Sequence, residues 1–152
     1  MSKTLLAAVL LTLVLPAAAQ AARPLPEQAV LAIDRRAAMR NFMPTRMLMG
    51  FTYVSWSYRG GVLRIDFRNK AGRTVVWRVA PMSGTCDRGK RKSFQLAGNK
   101  VWWAESAGGQ RAWRCVFGQD GKPLRLTASS STPPTKLAGV GLGTVVASAR
   151  RY

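Results

Sequence analysis

Four stretches of the sequence place an apolar side chain at every second residue, and this period of two restricts the chain to folds built on half-buried strands. Leu63, Ile65 and Phe67 alternate with Arg64, Asp66 and Arg68, and Val75, Trp77 and Val79 alternate with Thr74, Val76 and Arg78. Trp113, Cys115 and Phe117 alternate with Ala112, Arg114 and Val116, and Leu124, Leu126 and Ala128 alternate with Arg125 and Thr127. Three more strands are expected at 51–58, 92–96 and 101–106, the first with its apolar phase slipping between Tyr53 and Val54 as a bulge would make it. The segments between them carry Gly or Asn where a tight turn needs positive φ: Arg59-Gly60-Gly61, Asn69-Lys70-Ala71-Gly72, Gly98-Asn99-Lys100, Ala107-Gly108-Gly109 and Gln119-Asp120-Gly121-Lys122. Strands joined by such short links pair with their sequence neighbours, so the expected body is an antiparallel meander of about seven strands. One long link, 81–91, interrupts it and contains Cys86.

Before Gly50 the period is different. Val30, Ile33 and Ala37, with Leu31, Ala38 and Phe42 beside them, recur every three or four residues, which predicts an amphipathic helix over 26–41. Pro26 and Glu27 suit its first turn, and Arg40 and Asn41 suit its end. Met39, Met43, Met47 and Met49 read as adaptable core filling rather than as a soft binding surface. At the other end, 137–150 reads either as a closing helix or as a turn followed by a short element from Thr144, because Gly139, Gly141 and Gly143 each cost a helix about 1 kcal/mol relative to Ala. The expected fold class is therefore α+β: an N-terminal helix, an antiparallel sheet and a C-terminal helix as one of two alternatives.

The first 21 residues are expected to stand outside this domain. A basic start at Lys3, an apolar run from Leu5 to Leu15, a break at Pro16 and small residues up to Ala21 have the layout of a secretory signal peptide, leaving a single exported domain over 22–152. In an exported chain an even pair of cysteines predicts a disulfide, Cys86 with Cys115, and a structural role for it, since a redox role favours close spacing such as Cys-x-x-Cys.

A wider pattern adds to this reading. The Pro44-to-Gly50 lead-in, a strand beginning Phe51-Thr52-Tyr53, paired hairpins, Gly98-Asn99-Lys100-Val101, the Trp113 strand and a small-residue terminus together resemble the extracytoplasmic sensor-like domains attached to some bacterial anti-sigma regulators. Those domains look like relatives of the periplasmic lipoprotein-carrier fold. The resemblance covers roughly 44–149 and implies a curved antiparallel sheet with helices against it. No segment here reads as a cytoplasmic module or membrane span, and the cysteine pair is a departure, so the resemblance bears on fold and not on a sigma-factor role.

Catalytic and metal-binding readings find little to work with. The chain has no His and six carboxylates, which excludes His-based triads, His-ligated metals and dense carboxylate cages. Asp66 and Glu105 read as strand-face charges rather than as a glycosidase pair, and Gly139-Val140-Gly141-Leu142-Gly143 lacks the strand and spacing of a dinucleotide loop. A non-enzyme without cofactor or metal is expected.

Charge is the informative feature. Lys and Arg total 24 against six acids, a formal charge of +18, or +17 without Lys3, and 17 of these cations are Arg, whose planar fork suits phosphate and carboxylate. Arg64, Arg78, Arg114 and Arg125 hold the polar phase of their strands and are expected on one sheet face, with Arg68 beside them. Arg88, Lys90, Arg91 and Lys92 add a basic cluster at the long link. These eight cations, Arg68 aside, form the candidate anion site of a monomeric envelope-binding protein. Its partner would be a phosphate-rich wall polymer, an anionic lipid surface or an acidic protein. Nucleic acid is disfavoured because strand parity assigns Trp77 and Trp113 to the core, leaves one of Trp102 and Trp103 outside, and leaves Trp56 undecided. The competing reading is a small-ligand or lipoprotein-handling domain in which Met39, Met43, Met47, Trp56 and one of the Trp102–Trp103 pair line an apolar pocket.

Overall fold

The structure, a computed structural model, describes residues 23–87, 92–106, 108–131 and 138–152; the segment read as a signal peptide, and Arg88, Lys90 and Arg91, lie outside them. A helix, α1 (Glu27–Arg36), leads through a 3-10 turn to a two-residue strand, β1 (Phe42–Met43). Seven strands follow: β2 (Thr52–Arg59), β3 (Val62–Arg68), β4 (Thr74–Pro81), β5 (Lys92–Leu96), β6 (Asn99–Ser106), β7 (Gly109–Phe117) and β8 (Pro123–Ser130). A second helix, α2 (Ala138–Ser148), and a short strand, β9 (Arg150–Arg151), complete the chain, with β9 pairing antiparallel to β1. The architecture is α+β, and all seven expected strands, the four with period two and the three others, enter one antiparallel sheet.

Strand order in the sheet is β2-β3-β4-β8-β7-β6-β5. Sequential pairing holds within β2–β3–β4 and within β5–β6–β7–β8, and it fails once, at the long link. That link carries the chain from β4 to the far edge of the sheet, so β4 takes β8 as its second neighbour. The slip read at Tyr53–Val54 is a real register shift between Tyr53 and Ser55 against β3.

One face of the sheet is the core. Leu63, Ile65 and Phe67 of β3, Val75, Trp77 and Val79 of β4, and Leu124, Leu126 and Ala128 of β8 are all buried there. Ile33 and Ala37 cover them from the N-terminal segment, and Leu142, Val145, Val146 and Ala149 from the C-terminal one. Burying apolar side chains on this scale supplies the main driving force for the fold. Trp77 also donates its indole N–H to the Phe42 carbonyl at 3.0 Å, which fixes β1 across the sheet.

The N-terminal helix is shorter than its periodicity suggests. It closes at Ala37, whose N–H bonds the Ile33 carbonyl at 2.7 Å, and a 3-10 turn over Ala38–Arg40 follows. Asn41 accounts for the break. It is buried, and its amide donates to Asp34 Oδ1 at 2.7 Å and to the Tyr152 carbonyl, drawing the chain off the helix axis toward the C-terminus. Leu31, on the outer side of α1, and Ala38, in the 3-10 turn, are exposed. Of the methionines read as core filling, Met43 is fully buried and Met47 packs at the core's edge, whereas Met39 and Met49 are exposed.

At 138–148 the helical alternative is the one adopted, despite its glycines. A Cβ on Gly143 would fall well inside van der Waals contact with the ring of Phe94, and one on Gly141 would meet Leu48. The missing side chains let α2 sit close against the sheet, over β6, β7 and β8 with Phe94 of β5 alongside, and tight packing offsets the poor helix propensity.

Candidate anion-binding face

The opposite face of the sheet carries no helix among the described residues, and it collects the polar phase of the strands. Register across β2, β3, β4 and β8 aligns Ser57, Arg64, Arg78 and Thr127 in one row. Arg64 and Arg78 are direct cross-strand partners, a like-charge pairing that is unfavourable unless a counter-ion intervenes. Asp66 supplies one for Arg64 alone. The guanidinium donates to it from Nε at 3.0 and 3.1 Å and from Nη2 at 2.8 Å, and these bonds hold the Arg64 pKa above its ordinary value. Among the described residues the ion pairs are Arg64–Asp66 and Arg40–Asp120, so Arg78 stands exposed beside a cation already neutralised.

In β7 the phase is the reverse of the expected one. Thr127 faces Trp113, Arg125 faces Cys115 and Ser129 faces Arg111, which puts Arg111, Trp113 and Cys115 on the open face. Gln110, Ala112, Arg114 and Val116 therefore point to the helices. Trp113 is nonetheless only 2% exposed, because the long link folds over it. The Cys86–Cys115 disulfide, with Cα atoms 6.0 Å apart, ties this link to β7. Trp113 donates its indole N–H to the Cys86 carbonyl at 2.9 Å, Arg125 Nη2 donates to the Thr85 carbonyl at 3.5 Å, and the Met82 N–H reaches the Pro123 carbonyl at 3.1 Å. A small second apolar cover thus sits on the polar face. It explains why Trp113 and Cys115 look like core residues in the sequence.

Arg114 leaves the candidate site for the same reason. It is buried on the helix side, where it donates to the Ala149 carbonyl at 2.7 Å and to Asn99 Oδ1. Burial pushes its pKa down from the ordinary arginine value, and the charge of Arg150 acts in the same direction. The Ala149 carbonyl lies just beyond α2, at the negative end of the helix, so Arg114 serves as a cationic cap. Lys92 is also on the helix side, with its ammonium 4.9 Å from the centre of the Trp103 ring.

What remains on the open face is a trough along β8, with β4 on one side and β7 on the other. Its first part, about 310 Å³, is lined by Arg78, Ala80, Arg111, Trp113, Arg125, Thr127 and Ser129. Among the described residues no carboxylate lines it. A continuation of about 440 Å³ shares Arg111 and Ser129 with the first part and adds Thr74, Val76, Ser106, Ser130 and Ser131, with Glu105 and Gln110 at its far end. Small side chains make the depression, and the backbone does so at Gly109. Its φ is +132°, and a Cβ there would collide with the Ser130 carbonyl of the partner strand. Arg111, its guanidinium 5.5 Å from the Trp113 ring centre, is the site residue that the sequence reading missed. A correct phase for β7 would have found it.

The residues required for an apolar pocket are dispersed. Met43 is enclosed in the core, Met39 is exposed, Trp102 points to the open face beside Trp113, and Trp103 points to the helix side. Neither part of the trough is lined by any of them. Among the described residues no three of His, Cys, Asp or Glu come together to hold a metal, and no helix is long and apolar enough to cross a membrane. Comparison with known protein families, with characterised proteins and with solved structures found no match to this chain.

Proposed function

We propose that the chain is an exported, non-catalytic binding protein of the cell envelope whose open basic face holds an anionic partner. One observation carries the reading: Arg78, Arg111 and Arg125 line a single trough, with hydroxyls of Thr127 and Ser129 between them and no acid among the described residues that line that part. Guanidinium forks on a sheet are suited to bidentate contacts with phosphate or carboxylate oxygens, and each such charge-assisted bond is stronger than a neutral one. The excess of 24 cations over six acids draws polyanions to the surface, and the trough gives them a place to dock. The Cys86–Cys115 bridge is consistent with an oxidising compartment.

The test is binding of inorganic polyphosphate by purified protein across a salt series. Affinity is expected to fall steeply with salt, and Arg78→Glu with Arg111→Glu should lower it by at least about a hundredfold at low salt, since each lost charge-assisted contact is worth about 1.5–3 kcal/mol. Unchanged polyphosphate affinity in a folded double variant would overturn the assignment.

A further inference from the structure

The sheet ends in two edges, and they are unequally guarded. β5 has five residues, opens with Lys92 and holds Phe94 against Gly143 of α2; a short strand with a cation on it resists further pairing. β2 has eight residues and no charged side chain before Arg59. Among the described residues it pairs with β3 alone, and no other segment's backbone bonds its outer side. The register shift between Tyr53 and Ser55 leaves 55–59 as its regular run.

The turn after β2 fixes which groups that run offers. Gly60 and Gly61 both have positive φ, +56° and +73°, as a two-residue type I′ turn requires. In such a turn the Arg59 carbonyl accepts from the Val62 N–H, so these two residues are a hydrogen-bonded pair, and alternation makes Ser57 with Arg64 and Ser55 with Asp66 the next ones. Trp56 and Tyr58 therefore turn their N–H and C=O groups outward, onto a bare edge. Cations flank them on both sides of the sheet. On the helix side the guanidinium of Arg36 lies 5.9 Å from the centre of the Trp56 ring, and on the open side Arg59 stands in phase with Ser57; both arginines are exposed. The neighbouring carboxylates are engaged, Asp66 by Arg64 and Asp34 by Asn41.

We propose that 55–59 is a docking edge for an extended acidic segment of a partner protein, which adds to the sheet as a further strand beside β2. Main-chain bonds to Trp56 and Tyr58 supply affinity, and charge selects the segment. A partner residue opposite Trp56 carries its side chain on the side of Arg36, and one opposite Arg59 carries its side chain on the open side. The segment's acids therefore stand three residues apart, on opposite faces of the added strand, whichever direction it runs. A second copy of this chain is the poorer occupant, because it would bring its own Arg36 and Arg59 to the joint, and like charges facing each other across strands are unfavourable. This edge is separate from the trough, whose arginines lie on β4, β7 and β8.

The experiment titrates the purified protein at about 0.15 M salt, where distant charges are screened, with the peptide acetyl-Thr-Glu-Val-Thr-Glu-Thr-amide and follows backbone amides by NMR. In the free protein, amide exchange is expected to be at least about tenfold faster at Trp56 and Tyr58 than at Ser57, and peptide should slow it at the first two. An isomer with its acids two residues apart should bind at least about threefold more weakly, and Arg36→Glu with Arg59→Glu should lower affinity about tenfold. Methylating every second peptide nitrogen should abolish binding in one phase and spare it in the other, since an added strand donates from alternate residues. Arg78→Glu with Arg111→Glu should leave peptide affinity within about twofold, because those charges lie beyond the screening distance of the edge contacts. No binding, or equal binding of the two methylated phases or of the two isomers, would overturn strand addition at this edge. Loss of peptide binding in the Arg78, Arg111 variant would place the peptide in the trough, and a protein already dimeric with its Trp56 and Tyr58 amides protected would make a second copy the occupant; either result overturns the proposal.

Discussion

The two faces of the sheet are made from the same strands, yet they use similar side chains for opposite ends. On the helix side, Trp77 is sealed in the core and its indole fixes β1; on the open side, Trp113 is sealed by a loop and its indole fixes that loop. Arg114 on the helix side is buried and turned inward to carbonyl and amide oxygens, whereas Arg111, three residues earlier, is exposed on the trough. Period alone makes a strand, but what each face meets decides whether an arginine is structural or available to a ligand. The covered face holds the fold together, and the open face can be altered with little loss of stability.

The largest expected loss comes from the one place where the open face is structural. Converting both Cys86 and Cys115 to Ser should destabilise the protein by about 3–4 kcal/mol, from the entropy of a loop with a sequence separation of 29. Denaturant unfolding measures it, and reduction of the natural protein should have the same effect. Trp113 fluorescence should shift toward that of an exposed indole under native conditions, because the bond that holds its cover has gone.

Next comes the inward arginine. Arg114→Met should cost about 1–3 kcal/mol, since the Ala149 carbonyl and Asn99 lose a charged donor in a buried setting. A midpoint unchanged in thermal unfolding would mean that the two faces are less distinct than argued. A smaller effect, about 1–2 kcal/mol, is expected for Gly143→Ala. Helix propensity favours this change, but the collision with Phe94 opposes it, and overpacking of a close contact outweighs one residue's propensity. A more stable alanine variant would show that α2 has room to lift from the sheet.

These contrasts also mark what could be read from the sequence. Alternation located four of the strands, because a sheet with one buried face imposes its period on the strands that cross the core, and the apolar runs between turns located the other three and the bulge at Tyr53–Ser55. It gave the wrong face for β7. Trp113 is buried and Cys115 half-buried, but under the 82–87 segment rather than under helices, and a single sequence has no mark for which layer covers a residue. The same inversion removed Arg114 from the candidate site and concealed Arg111. Strand order was legible only where links were short. The long link left the partner of β4 open, and contacts between residues far apart in sequence settled it on β8. The break at Ala37 depended on Asn41 reaching the Tyr152 carbonyl, a partner 111 positions away.

The most direct measurement compares Arg111→Gln with Arg114→Gln in one protein preparation, recording the thermal midpoint and the affinity for inorganic polyphosphate for each. The account predicts a crossover. Arg111→Gln should lower affinity at least about tenfold while leaving stability within about 0.5 kcal/mol, as expected of an exposed position. Arg114→Gln should lower the midpoint by several degrees and leave the affinity of the folded fraction unchanged. Equal effects of the two substitutions on both quantities would contradict the division of the sheet into a covered face that folds the protein and an open face that binds.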